Sequence, residues 1–145
     1  MRILAIDQAT KSGWCSPNGS GVWDLTPNRG ESIGMRNVRF RAKLKELIEL
    51  EDIEMVCYER PAGRHKSSLV VAGELISIIK LVCEDMGVEY GCYSASEIKK
   101  YATGKGNANK DAMIQSAERY GVEIIDDNHA DALHLWNMVN EEINR

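Results

Sequence analysis

Residues 2–24, RILAIDQATKSGWCSPNGSGVWD, hold the pattern that decides the fold. A short apolar run at residues 3–6 ends in the acid Asp7, which is typical of a buried strand. A turn at residues 16–20 then separates two segments that contain Trp14 and Trp23, so a β-hairpin is expected. Three strands without a helix between them predict a sheet that begins as an antiparallel meander.

Beyond this meander, the sequence predicts that helices and strands alternate. Apolar residues recur with helical spacing over residues 31–50, and an apolar strand over 53–59 again ends in an acid, Glu59. The other predicted elements are a helix from Ser67 or Ser68 to about Met86, a strand over 88–93, a short helix ending near Gly104, a helix from about Lys110 to Tyr120, an extended segment at Ile124 and Ile125, and a last helix to about Asn144. Because such alternation requires parallel crossovers, we predict one α/β domain over residues 1–145 with a mixed sheet.

Composition argues against disordered, fibrous and membrane-spanning classes. The chain has 145 residues, of which 43% are hydrophobic and 28% are charged, and its apolar runs are far shorter than the ~20 residues that cross a bilayer. The apolar stretch near the N-terminus is four residues long, so no signal peptide is expected. No CxxC pair occurs among the four cysteines, Cys15, Cys57, Cys83 and Cys92. Because no signal peptide is expected either, we predict that they are buried free thiols and that the protein is cytoplasmic, without a membrane partner.

The net charge of −4 hides a strong segregation of basic residues. Residues 29–45, 60–66 and 99–110 together hold 13 of the 18 basic residues and 1 of the 22 acidic residues. This segregation predicts a cationic face that binds a polyanion, on a body whose remaining surface is acidic. For any one cluster alone, the alternative is an ordinary solvated face.

Two acids follow apolar strands and are the first candidate site residues. If their strands are parallel neighbours, Asp7 and Glu59 emerge at the same carboxyl edge of the sheet, where open α/β sheets place their sites. Two desolvated carboxylates at one edge repel each other unless a cation lies between them. Hard oxygen ligands of this kind suit Mg²⁺ or Mn²⁺. For either acid alone, a turn or capping role is the alternative.

A third acid, Asp131, lies in the first turn of the last predicted helix. Asp127 and Asn128 precede it by four and three residues, so they share its helix face, and one of the two is expected to be the N-cap. His129 is expected to point elsewhere, whereas His134 has the spacing to join that face. A zinc site is not expected, because no two histidines have the spacing of helical ligands.

Four motifs in sequence resemble the RuvC Holliday junction resolvases. They are residues 6–13 (IDQATKSG), Glu59 at a strand end, residues 96–110 (SEIKKYATGKGNANK) and residues 128–133 (NHADAL). The resemblance covers essentially the whole chain, which is similar in size to compact phage-borne versions. It implies an RNase H-like α/β fold, with a mixed five-stranded sheet and helices on both faces, and a homodimer.

The resemblance also implies an activity and a set of site residues. It implies a crossover junction endodeoxyribonuclease that nicks four-way DNA junctions symmetrically, with two Mg²⁺ ions (Mn²⁺ substituting) and no nucleotide cofactor. Asp7, Glu59 and Asp131 match three catalytic, metal-binding carboxylates. The family's fourth ligand position is occupied by Asn128, and we favour its neighbour Asp127 as the substitute. Lys110 matches a basic residue suited to stabilising the transition state, and the residues expected to hold flanking phosphates are Arg60, Arg64, Lys66, Lys99, Lys100, Lys105 and Lys110.

Two positions depart from the family pattern. Ala9 replaces a glycine, and Ala62 stands where an aromatic residue can wedge into the junction, so we expect phosphate approach and junction opening to differ. Three alternatives stay open. They are an RNase H-like nuclease acting on flaps, forks or RNA–DNA hybrids, an inactive junction-binding protein, and an ATPase of the hexokinase–actin type, which needs two such domains.

Overall fold

The computed structural model describes residues 1–61 and 66–145 and contains the predicted alternation of strands and helices. Its elements are β1 (Ile3–Asp7), β2 (Lys11–Ser16), β3 (Gly19–Asp24), α1 (Gly34–Glu51), β4 (Met55–Glu59), α2 (Lys66–Met86), β5 (Glu89–Tyr93), α3 (Ala95–Thr103), α4 (Lys110–Ala117), a 3₁₀ turn (Glu118–Tyr120) and α5 (Asp127–Ile143). The predicted meander, the later strands and the helices are therefore confirmed, with shifts of a few residues at their ends.

The five strands form one mixed sheet in the order β3-β2-β1-β4-β5. The meander is antiparallel, whereas β4 pairs in parallel with both β1 and β5. The register of β1 against β4 runs from Ile3 opposite Met55 to Ile6 opposite Tyr58. Because the two strands run together in this register, they end side by side, and each ends in an acid.

Helices cover both faces of the sheet, as expected. Leu4 and Ile6 of β1 pack with Phe40 and Leu44 of α1 and with Leu75 of α2. The alternate residues Ile3 and Ala5 face the opposite layer, since successive side chains of a strand point to opposite faces. That layer is formed by α3, α4 and α5 and includes Ile98, Met113, Leu135 and Val139. Asp7 continues the Ile3 and Ala5 side of β1, which directs it towards α5.

Two sequence expectations about the chain's local structure are wrong. Ile124 and Ile125 form no strand, and they precede α5 as an irregular segment. The basic segment 29–45 is not an open cationic surface throughout. Arg36 is buried and forms an ion pair with Glu74 of α2, and Arg39 pairs with Glu31. These acids offset part of the positive charge of the segment.

The cysteines are free, and burial separates one from the rest. Cys15, Cys57 and Cys83 are buried, and burial raises the pKa of Cys15 to about 12 and of Cys83 to about 11. Cys92 is exposed on the edge strand β5, so the expectation that all four thiols are buried is wrong there. Within the described residues, no helix is both long and apolar enough to cross a membrane.

Candidate active site

Four carboxylates converge on one cavity at the carboxyl edge of the sheet. Asp7 comes from the end of β1 and Glu59 from the end of β4, while Asp127 and Asp131 come from the start of α5. The cavity measures about 570 Å³ and is also lined by Arg60, Asn128, Lys99 and Lys110. The predicted carboxylates are thus brought together by two parallel strand ends and a helix N-terminus.

Burial raises the pKa of three of these carboxylates, Asp7, Glu59 and Asp131, and neighbouring negative charges add to the effect at Asp7 and Asp131. Burial raises the pKa of Asp7 well above its usual range, and the negative charges of Glu59 and Asp131 raise it further. Burial also raises the pKa of Glu59. The pKa of Asp131 is raised to about 7, first by burial and then by Glu59 and Asp127. A cation placed between these side chains would offset the repulsion and favour their ionised forms.

The start of α5 differs from expectation by one residue. The N-cap is Asp126, whose side chain accepts a hydrogen bond of 2.8 Å from the backbone N–H of His129, so neither Asp127 nor Asn128 caps the helix. Asp127 is therefore free to face the cavity, where its Oδ2 lies 3.7 Å from Nζ of Lys110. Asn128 donates from Nδ2 to the backbone carbonyl of Lys11 at 2.8 Å, which ties α5 to β2.

The donor set fits a hard divalent cation. Asp131 Oδ1 is buried and has no hydrogen-bond donor among the described residues, although a buried carboxylate oxygen normally needs a partner. Four carboxylates around one cavity supply the oxygen ligands that Mg²⁺ and Mn²⁺ prefer. In the described part of the chain, no three such side chains are already arranged around a single ion position. The carboxylates are gathered around the cavity without forming a finished coordination shell.

The predicted basic residues fall into two groups. Lys99, Lys110 and Arg60 line the cavity, and the charge of Lys99 opposes the upward pKa shifts of Glu59 and Asp131. Lys66, Lys100 and Lys105 are exposed and lie outside the cavity lining. Arg64 and Ala62 lie outside the described residues.

Both histidines near Asp131 have structural partners. His129 is buried, and its Nε2 lies 2.9 Å from the hydroxyl of Ser20, so it points away from the site as expected. His134 is also buried, with Nδ1 2.8 Å from the hydroxyl of Tyr120. The expectation that His134 joins the face of Asp131 is wrong, because it packs against α4 and the 3₁₀ turn.

Sequence reasoning missed two side chains at the site. Gln8 donates from Nε2 to the backbone carbonyl of Glu59 at 2.6 Å and thus links the ends of β1 and β4. Asn109 lines the cavity and caps α4 by accepting a hydrogen bond from the N–H of Ala112. For Gln8, the sequence signal was its position next to Asp7. An asparagine just before the predicted helix at Lys110 was the signal for the second.

Comparison with known proteins identifies the fold. No protein-family model matches the chain. A curated relative, the crossover junction endodeoxyribonuclease RuvC of Brachyspira hyodysenteriae, is 39% identical over 74 residues. That alignment spans 50% of this chain and 46% of the relative, so the matched part is about half the length of the curated protein.

Solved structures match over much more of the chain. Thermus thermophilus RuvC has a TM-score of 0.77 at 18% identity, covering 99% of this chain and 97% of that chain. Its complex with a Holliday junction substrate has a TM-score of 0.74 at 19% identity and covers 92% and 89%. The yeast mitochondrial Holliday junction resolvase Ydc2 has a TM-score of 0.64 at 15% identity and covers 99% and 82%. The chain therefore has the RNase H-like fold of the RuvC resolvases and is RuvC-like in sequence over half of its length.

Proposed function

We propose that the protein is a divalent-metal-dependent endonuclease that nicks four-way DNA junctions. One observation carries this proposal: Asp7, Glu59, Asp127 and Asp131 meet in one cavity that basic side chains also line. Carboxylates gathered in this way hold metal ions, while the basic residues hold a phosphodiester. Junction selectivity is inferred from the relatives, since one of the matched structures is a RuvC in complex with a Holliday junction substrate.

The four carboxylates are the proposed metal ligands, with Asp127 as the fourth acid. Asn128 also lines the cavity but is a weaker candidate, because its amide oxygen is neutral whereas Asp127 offers a carboxylate. Two bound Mg²⁺ or Mn²⁺ ions would activate a water and stabilise the leaving 3′ oxygen. The buried, partnerless Oδ1 of Asp131 supports a ligand role for that residue.

The basic residues have two proposed roles in DNA binding. Lys110 lies beside Asp127 at the cavity and is 82% exposed, so it can reach a phosphate and stabilise negative charge that develops there. Lys99 and Arg60 complete the basic lining of the cavity. The exposed residues Lys66, Lys100 and Lys105 are proposed to contact flanking phosphates, which gives affinity without base recognition.

Symmetric nicking requires two active sites, and a two-fold homodimer supplies them. Helix α2 exposes Leu69, Val70 and Leu81, of which Val70 is 60% exposed and Leu81 59% exposed. An interface between two copies of the chain would cover exposed apolar side chains of this kind. We therefore include a homodimer in the proposal, to be tested by light scattering with and without Val70→Glu.

A cleavage assay tests the activity. Labelled four-way junction, duplex, flap and RNA–DNA hybrid are incubated with Mg²⁺ or with EDTA, using wild-type protein and Asp7→Asn. Asp85→Asn makes the same chemical change at an exposed position of α2 and serves as the matched control. We expect paired, symmetric nicks in the junction that are lost in EDTA and in Asp7→Asn but kept in Asp85→Asn.

Other outcomes of this assay select the alternatives. Equal cutting of flaps or hybrid would indicate a broader RNase H-like nuclease. Tight junction binding without cutting in Mg²⁺ or Mn²⁺ would indicate an inactive junction-binding protein. Cutting that survives the loss of Asp7 would refute the assignment of the cavity.

A further inference from the structure

A second cleft lies next to the carboxylate cavity. It measures about 410 Å³ and is formed by residues 8–11, which follow β1, and by the first turns of α2. Ser68 lines both the cleft and the carboxylate cavity, so the two spaces adjoin. A DNA strand whose scissile phosphate lies in the cavity would therefore place a neighbouring nucleotide at the cleft.

Gln8 lines the cleft and carries a buried hydrogen-bond acceptor that nothing satisfies in the described part of the chain. Its side chain lines the cleft and is 7% exposed. The carbonyl of Glu59 can only accept, so the atom that lies 2.6 Å from it must be the amide nitrogen. That contact fixes the amide orientation, and it leaves Oε1 buried without a partner among the described residues. A buried amide oxygen without a donor costs free energy, which a ligand N–H would recover.

The other lining groups suit a nucleotide. Thr10, Ser67 and Ser68 supply hydroxyls, and Lys11 supplies a positive charge. The described lining of the cleft contains no acid, and none lies in the first turn of α2. These groups favour a phosphodiester at the mouth of the cleft, whereas the oxygen of Gln8 favours a base that presents an N–H or NH₂ group.

We propose that this cleft binds a nucleotide adjacent to the scissile phosphate and that Gln8 Oε1 reads a donor group of its base. The proposal rests on the proposed function and adds a source of base preference to it. Gln8 is then a specificity-determining residue. Its two amide atoms have different tasks, because Nε2 holds the end of β4 while Oε1 contacts the substrate.

A double-mutant cycle that combines protein variants with base analogues tests the contact between Gln8 Oε1 and the base. Nicking of junctions with randomised bases around the cut first locates the preferred base, which is then replaced by an analogue that lacks one donor, such as purine for adenine or inosine for guanine. With wild-type protein, we expect the analogue to reduce nicking about tenfold. With Gln8→Met, natural base and analogue should be cut equally. Gln8→Glu, which keeps the acceptor and loses the donor, should be slower on both and still discriminate.

The controls separate this inference from the proposed function. Gln115→Met makes the same change at an exposed position of α4 and should discriminate like the wild type. If the wild type nicks junctions but Gln8→Met discriminates between base and analogue just as the wild type does, the subsite is refuted and the proposed function is unaffected. If the wild type nicks no DNA, the proposed function fails. The same cycle is therefore also measured as junction binding in the Asp7→Asn background, where equal affinities for base and analogue would overturn the subsite.

Discussion

Gly13 of β2 and Asn128 of α5 are in direct backbone contact. A Cβ atom on Gly13 would overlap the carbonyl oxygen of Asn128 and would lie 2.8 Å from the backbone nitrogen of His129. The hydrogen bond from Asn128 Nδ2 to the carbonyl of Lys11 is a second tie between the same two elements. Strand β2, which carries none of the four acids, therefore determines how closely the first turn of α5 approaches the site.

Gly13→Ala is expected to displace the start of α5. The clashing atoms belong to backbone and cannot rotate away, so the change should lower the free energy of unfolding by about 1–3 kcal/mol. Because Asp127 and Asp131 move with the helix, nicking at saturating DNA should fall as well. Urea unfolding and single-turnover nicking measure the two effects. Gly34→Ala is the matched control, since its new methyl group would meet nothing closer than 3.8 Å. Wild-type stability and activity in the Gly13→Ala variant would contradict the contact.

The strand ends were predictable from local sequence. The apolar runs before Asp7 and Glu59 identify buried strands, and parallel pairing in the observed register is the natural consequence of the helix between them. The burial of Asp7 and the half-burial of Glu59 follow from that arrangement. Local sequence was therefore enough to place these two acids together, because each depends on one strand and one neighbour.

The helix side of the site was less predictable, for physical reasons. Asp126, Asp127 and Asn128 are all good N-cap residues, so the sequence does not show at which of them the helix begins. A shift of one residue turns a helix by about 100° and so changes which side chains face the site.

The burial of Arg36 depends on Glu74, which belongs to another helix 38 residues away. Such contacts between distant segments leave no periodic pattern in the sequence.

Asp7→Asn is expected to stabilise the metal-free protein. Burial and the charges of Glu59 and Asp131 raise the pKa of Asp7, so its ionised form is unfavourable in the folded state. A neutral amide of the same shape removes that cost, and we expect the free energy of unfolding at pH 7.5 in EDTA to rise by about 1–2 kcal/mol. Urea unfolding measures it, with Asp85→Asn as the exposed control. A loss of stability in the Asp7→Asn variant would show that the carboxylate is satisfied by contacts other than a cation.

Metal affinity is expected to rise with pH. The pKa of Asp131 is about 7 in the metal-free protein, against 3.8 for an ordinary aspartate, so the folded state holds a proton that the unfolded state loses near pH 4. Metal-free stability should therefore fall as pH rises from about 4 to 7. An ion must displace this proton, so affinity for Mn²⁺ should increase about tenfold from pH 6 to pH 8. Titration calorimetry at both values measures the change. A pH-independent affinity would show that ion binding displaces no proton from Asp131 between pH 6 and pH 8.

Substitutions at Asp127 and Asn128 are expected to cause different defects, the first in metal binding and nicking and the second in stability. Asp127→Asn should reduce Mn²⁺ binding and lower nicking about 100-fold or more, with little loss of stability, because its carboxylate faces the cavity. Asn128→Ala should instead lower the free energy of unfolding by about 1 kcal/mol, because it removes the bond to the carbonyl of Lys11. Metal titration, nicking rates and urea unfolding of both variants distinguish the roles. The reverse pattern would make Asn128 the fourth ligand.

Lys99 and Lys100 are adjacent in sequence but are expected to act differently. Lys99 is half-buried at the cavity, where its charge lowers the pKa of Glu59 and of Asp131, whereas Lys100 is exposed. Lys99→Met should therefore raise both pKa values, move the rising limb of the pH–rate profile to higher pH, and reduce the single-turnover rate about 10–100-fold. Lys100→Met should weaken junction binding modestly and leave the profile in place, since an exposed lysine contributes through phosphate contacts. If both variants lose only binding, Lys99 has no role beyond holding DNA, and the basic charge that balances the carboxylates must come from Lys110 or Arg60.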